Sequence, residues 1–140
     1  MAMEPKKLLA AVVVGYIILM GLGYLIHEVW LMPMYQQYAT IWRLEEAMRH
    51  KMWINWVGQL LFTVVFAWVY TRGVEDKPWV AQGMRYGIVM TLLVVIPAVC
   101  SEYVVYPIPY TLALEWMLAG AVQLLVLGVI VAGFCRKPAT

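Results

Sequence analysis

Apolar residues run almost unbroken through four stretches, approximately Leu8–Leu31, Met52–Thr71, Val80–Tyr106 and Tyr110–Phe134, with most of the charged residues gathered outside them. Each stretch is close to the about 20 helical residues needed to cross a hydrocarbon core about 30 Å thick, so the pattern predicts four transmembrane helices. Within Gln36–His50 the pattern changes. Ile41, Trp42, Leu44, Ala47 and Met48 interleave with Arg43, Glu45, Glu46 and Arg49 at helical spacing. Glu45 and Arg49 stand four residues apart, where opposite charges pair on a helix face. The segment predicts a short amphipathic helix lying in the membrane interface between the first two spans; a solvated loop is the plainer alternative.

The polar positions repeat. Glu28 and Glu102 each precede a proline, Pro33 and Pro107, by five residues; Gln59 and Gln123 follow, and Arg72 and Arg136 each come thirteen residues after those glutamines. We read hairpin 8–72 and hairpin 80–136 as two tandem copies within a single transmembrane domain, 1–140. Pro33 to Gln59 leaves 25 intervening residues and Pro107 to Gln123 leaves 15, so the first copy carries an insertion of ten residues, within 36–50. Both copies start on the same side, as in parallel-repeat membrane proteins. Small residues, Gly83 and Gly87 on the third helix and Gly120, Gly128 and Ala132 on the fourth, predict close packing. Pro97 predicts a kink in the third helix, with the carbonyl about four residues earlier freed.

Composition agrees. The chain is 64% hydrophobic and 13% charged over 140 residues, with mean hydropathy +0.78, where a soluble domain carries about a quarter charged residues. The first apolar run exceeds a signal-peptide core of about 7–15 residues and lacks a small-residue cleavage site, so it is expected to stay as a permanent helix. Lys6, Lys7, Arg72, Lys77, Arg85, Arg136 and Lys137 fall on one side, and Arg43, Arg49 and Lys51 on the other. That bias places both termini in the cytoplasm. Net charge of +2 gives no reason to expect a nucleic-acid partner. Cys100 and Cys135 are expected near opposite faces, too far apart for a disulfide, and no CxxC is present.

On this topology His27, Glu28, Asn55, Gln59, Ser101, Glu102 and Glu115 all fall in the outer third of the bilayer. Ionisable groups on membrane helices are costly and usually face the bundle interior, water or a partner. His27, Glu28, Asn55, Gln59, Glu102 and Glu115 are therefore the candidate ligand- or partner-binding residues. The plainer reading is that acids near helix ends reach headgroup water. Imidazole and carboxylate in His27, Glu102 and Glu115 would suit zinc, iron or manganese, without an HExxH or ExxH spacing to support it. Methionines flanking the outer loop would suit copper, and are equally ordinary packing residues. A quinone head could rest between His27, Glu102 and Trp56. Bis-histidine haem ligation is poorly served, since His27 and His50 differ in depth. Nothing charged lies at midplane for alternating-access transport, and Ser101 and Cys100 have no base at a motif spacing.

The pattern His27-Glu28-x-x-Leu31…Tyr35, Trp42-Arg43, Gly83-Met84-Arg85-Tyr86-Gly87 and Pro107-Ile108-Pro109-Tyr110 with Trp116 resembles small four-helix bacterial inner-membrane proteins of uncharacterised activity. The resemblance implies that topology and membrane, and no activity, cofactor or catalytic residue. The expectation is thus an all-α integral membrane four-helix bundle from two tandem hairpins, with an interfacial helix between the first two spans. Its partners are the lipid bilayer and either a membrane-protein subunit or a second copy. The leading function is a non-enzymatic accessory or assembly component; the alternative is a metal-handling or quinone-linked oxidoreductase using the same cluster.

Overall fold

In the computed structural model, which describes residues 4–136, the chain is helical throughout, with no strand among the described residues. Four helices are long and apolar enough to cross a membrane: Pro5–Trp30, Glu45–Thr71, Trp79–Val105 and Tyr110–Cys135. Lys137, counted in the charge bias, lies outside the described residues. Prolines set several helix starts. Pro5 opens the first helix, and Pro78 and Pro109 stand just before the third and fourth, where their fixed φ suits entry and no N–H is wasted.

Two prolines also explain where the helices loosen. Pro33 cannot donate to the carbonyl of Val29, and the six residues before Leu31, Leu25–Trp30, widen into a π-helical turn; the Leu31 N–H reaches Ile26 O at 2.8 Å. Pro97 leaves the Leu93 carbonyl without its donor, and Thr91–Val95 is likewise π-helical. The kink expected from Pro97 therefore takes the form of a wide turn.

The segment expected as one amphipathic interfacial helix is three short pieces instead: Met32–Gln37, a 3-10 turn Ala39–Ile41, and Glu45–Arg49. Glu45 and Arg49 pair at 2.9 Å as their spacing predicts, but a five-residue helix has no continuous apolar face to lay down. The apolar residues divide. Ile41 and Trp42 turn into the bundle, while Leu44 is 82% exposed.

The fourth helix is the hub: it packs most extensively on the third, next on the first, and little on the second. Its seam with the third is backbone against backbone. A Cβ added at Gly83 would stand 2.6 Å from Gly128 O, and one at Gly87 would stand 2.6 Å from Leu124 O. Such approach is how apolar helices gain van der Waals contact where water supplies no driving force. Helices two and three meet mainly through aromatic rings; Tyr86 packs edge-on to Phe66 (4.6 Å) and donates to its carbonyl at 2.8 Å.

The core has two halves. Towards the termini, Ala11, Leu19, Phe66, Ala67, Leu127 and Val131 pack together, drawing on helices one, two and four. Towards the 31–51 connection, Ile26, Leu31, Val99, Ile108 and Leu112 pack with Met34, Tyr35, Ile41, Trp42 and Trp116, and no residue of Met52–Thr71 takes part. There the connection takes the second helix's place in the core.

Candidate functional site

The polar residues singled out from the sequence separate into two places, and a residue outside that set organises the first. Tyr35, on the short helix Met32–Gln37, inserts between helices one and four. Its hydroxyl lies 2.7 Å from His27 Nδ1 and 2.7 Å from Trp116 Nε1. Indole N–H can only donate, so the Tyr35 oxygen accepts from Trp116. The tautomer of His27 sets which way the proton lies between its Nδ1 and the Tyr35 hydroxyl. The π turn at Leu25–Trp30 carries His27, and the His27 ring stacks nearly parallel to Tyr35 (11° between planes, centroids 5.9 Å apart). Trp42 closes the cluster: its Nε1 donates to the Tyr35 carbonyl at 3.1 Å, and its ring meets Tyr35 edge-on at 5.5 Å and Trp116 at 6.2 Å.

Three carboxylates act on this phenol through their charge. Burial chiefly pushes the Tyr35 hydroxyl up to about 12; the Trp116 hydrogen bond opposes the rise, and the charges of Glu102, Glu115 and Glu28 add to it. Glu115 is the odd member. Its Oε2 is buried and has no hydrogen-bond partner among the described residues. Such an atom asks for a proton, a cation or a donor from elsewhere. Glu28 and Glu102 are exposed. His27, Glu102 and Glu115 do not form a metal-ligand group here: among the described residues no set of three or more His, Cys, Asp or Glu side chains is arranged to hold a metal ion. Cys100 is exposed, and Cys135 is buried in the core.

Asn55 and Gln59 stand apart from the Tyr35 cluster. Both line a cleft of ≈ 450 Å³ between the second helix and the fourth, together with Gln123, Gly58, Val95 and Gly120. A cavity of ≈ 740 Å³ also opens at the termini, lined by Lys7, Glu75, Lys77, Trp79, Gln82 and Arg136. Its charges are largely spoken for. Lys7 pairs with Glu4 at 3.2 Å, and Glu75 pairs with Lys77 at 2.5 Å and Arg85 at 2.8 Å. Hydrogen bonds from Lys77 and then Arg85 hold the Glu75 carboxyl down to about 2. Beside it Gln82 clasps the 72–78 turn, its amide bonding Glu75 N, Glu75 O and Lys77 O at 2.9, 2.9 and 2.6 Å.

Tyr35, Trp42 and Trp116 are what residue-type reasoning missed as site members, because aromatics near apolar ends read first as membrane anchors. One signal was available: His27, Tyr35, Trp42 and Trp116 all stand in the pattern that carries the resemblance above. Comparison with protein-family models, with curated proteins and with solved structures finds no match.

Proposed function

We propose that the chain is a multi-pass protein of the bacterial inner membrane, with both termini cytoplasmic, that serves as a non-enzymatic accessory or assembly component. Its Tyr35-centred cluster docks a partner subunit. The membrane assignment rests on four apolar helices whose outward faces carry Leu9, Ile17, Leu61, Leu93 and Leu118, each more than half exposed. A water-soluble monomer does not sustain an apolar surface of that extent. The orientation rests on the Lys/Arg bias.

The observation that carries the docking reading is Glu115 Oε2, buried without a hydrogen-bond partner among the described residues and next in the chain to Trp116, which donates to Tyr35. Acidic surroundings and an unmet acceptor favour a lysine or arginine of the partner. The test is native mass spectrometry on protein extracted gently from its own membrane. A stoichiometric subunit that is retained by the wild type and lost from Glu115→Gln supports the reading; a bare protomer in both sinks it. Extra mass matching a metal, or a quinone that is lost from His27→Ala, would replace it with the oxidoreductase alternative. In a Cys100→Ala, Cys135→Ala background, cysteines placed in 36–40 should label from outside the cell. Labelling confined to the cytoplasm, or release of the chain from membranes by urea, would remove the topology and the membrane assignment respectively.

A further inference from the structure

The cleft beside the second helix owes its existence to the outer connection. Because Met34, Tyr35, Ile41 and Trp42 fill the core at that end, Met52–Gly58 is left exposed along its whole length, tied to the first helix by Tyr16 Oη donating to Trp56 O at 3.1 Å. Between this stretch and helices three and four lies the ≈ 450 Å³ cleft, bounded by Leu19, Phe62, Val94, Val95 and Leu124. That volume falls in the range of small-molecule sites, about 300–1,000 Å³.

Three residues with carboxamide side chains help to line this largely apolar space: Asn55, Gln59 and Gln123. None of them makes a side-chain hydrogen bond among the described residues; Gln59 engages only its backbone carbonyl, with Thr63 Oγ1 at 2.8 Å. Amides facing hydrocarbon without partners are costly, and acyl chains cannot satisfy them. Their depth is informative. Gln123 sits at the middle of Tyr110–Cys135, while Asn55 and Gln59 are one turn apart, about 6 Å along the second helix. A phospholipid ester is held at the headgroup level, far from the middle of a 26-residue helix. The cleft therefore runs from Asn55, one turn into the second helix, to Gln123 at the middle of the fourth, and its occupant carries an acceptor down to that depth.

We propose that this cleft binds a neutral, membrane-dissolved carbonyl lipophile of the quinone type. The carboxamide N–H groups of Asn55, Gln59 and Gln123 donate to the ring carbonyls, and the tail leaves through the loosely packed gap between helices two and three. The proposal is one of binding and includes no redox step. It rests on the membrane reading but not on partner docking at Tyr35.

The experiment titrates a decyl-tailed benzoquinone into the full chain in detergent and follows quenching of tryptophan fluorescence, Trp56 being adjacent to Asn55 and about half exposed. Saturable quenching is expected, weakened about five- to tenfold by Gln59→Leu and by Gln123→Leu, the loss of one hydrogen bond each. Gly58→Leu keeps all three amides but fills the cleft, and a Cβ there meets nothing within 4 Å, so this variant should fold and lose binding. Glu115→Gln should bind as the wild type does. Quenching that rises linearly and equally in every variant, which is simple partitioning, overturns the proposal. So does binding that responds to Glu115→Gln instead of Gln59→Leu, or a dimer that dissociates in Gln123→Leu, since a second copy would then occupy the cleft.

Discussion

Each end of the bundle holds down a connecting segment with one inserted polar side chain, and the two solve the problem differently. At the termini, Gln82 satisfies three backbone groups of the 72–78 turn and is itself satisfied, while the neighbouring charges pair with one another. At the other end, Tyr35 bonds to side chains, His27 and Trp116, and feels the charge of three carboxylates, one with an unmet oxygen. The first arrangement is closed. The second has capacity left over for a further donor or cation. A matching contrast runs along the helices. The third and fourth meet through glycines with no room for a methyl group, whereas the second stands off and leaves a largely apolar cleft that Asn55, Gln59 and Gln123 help to line.

The sharpest way to break that contrast is to fill both places. Gly128→Val forces a side chain into the Gly83 backbone, which cannot yield as a flexible side chain would. It should destabilise by about 3 kcal/mol, the upper part of the range for overpacking. Gly58→Ala, in the cleft wall with nothing within 4 Å, should be neutral or stabilising by up to about 1 kcal/mol. Equal losses in thermal unfolding would mean that the seam is not the tight element described. Next in size, Gln82→Leu and Tyr35→Phe should each cost about 1–3 kcal/mol, because each strands partly buried partners. Limited proteolysis separates them: Gln82→Leu should open 72–78, and Tyr35→Phe should open 36–50. Cleavage at the same place in both variants would undo the idea of two independent clasps.

Proton linkage gives smaller effects of opposite sense. The folded value of Tyr35 lies above its ordinary 10, so its contribution is fully present below about pH 10 and is lost as pH rises through about 12. Tyr35→Phe should remove that part of the alkaline slope. Glu75 is the reverse case, its folded value depressed from 4.5 to about 2. Its contribution is present above about pH 4.5 and disappears as pH falls through about 2, and Glu75→Gln should flatten the acid limb slightly. Being at the surface and open to solvent on one side, this carboxylate gives the smallest effect of the series, screened further by salt.

Much of the architecture was legible in the residues, and the candidate site only in part. Run length and hydropathy marked the four helices to within a few residues, since the energetic demand of a hydrocarbon layer is one-dimensional. Pro97 marked the wide turn before it, because a missing N–H acts on the carbonyl four residues back whatever surrounds it. The Glu45–Arg49 pair was legible for the same local reason. The placement of Asn55 and Gln59 was not. Depth put them beside His27 and Glu102, but helical phase and the choice of neighbour turned them towards Gln123. Nor could Tyr35 be chosen from nine tyrosines, since its role depends on a connection folding back over helices one and four.

What the sequence determined by itself was every property set by near neighbours in the chain: helical segments, their breaks, the crowding of acids towards one end, and the small residues that allow close approach. The tertiary structure decided which groups share a space. That outcome turns on the connection between Leu31 and Lys51 displacing the second helix from the core, a competition among packings of similar apolar surface. In an apolar chain such packings differ by shape and a few hydrogen bonds, and neither is written in the order of hydrophobic and polar residues.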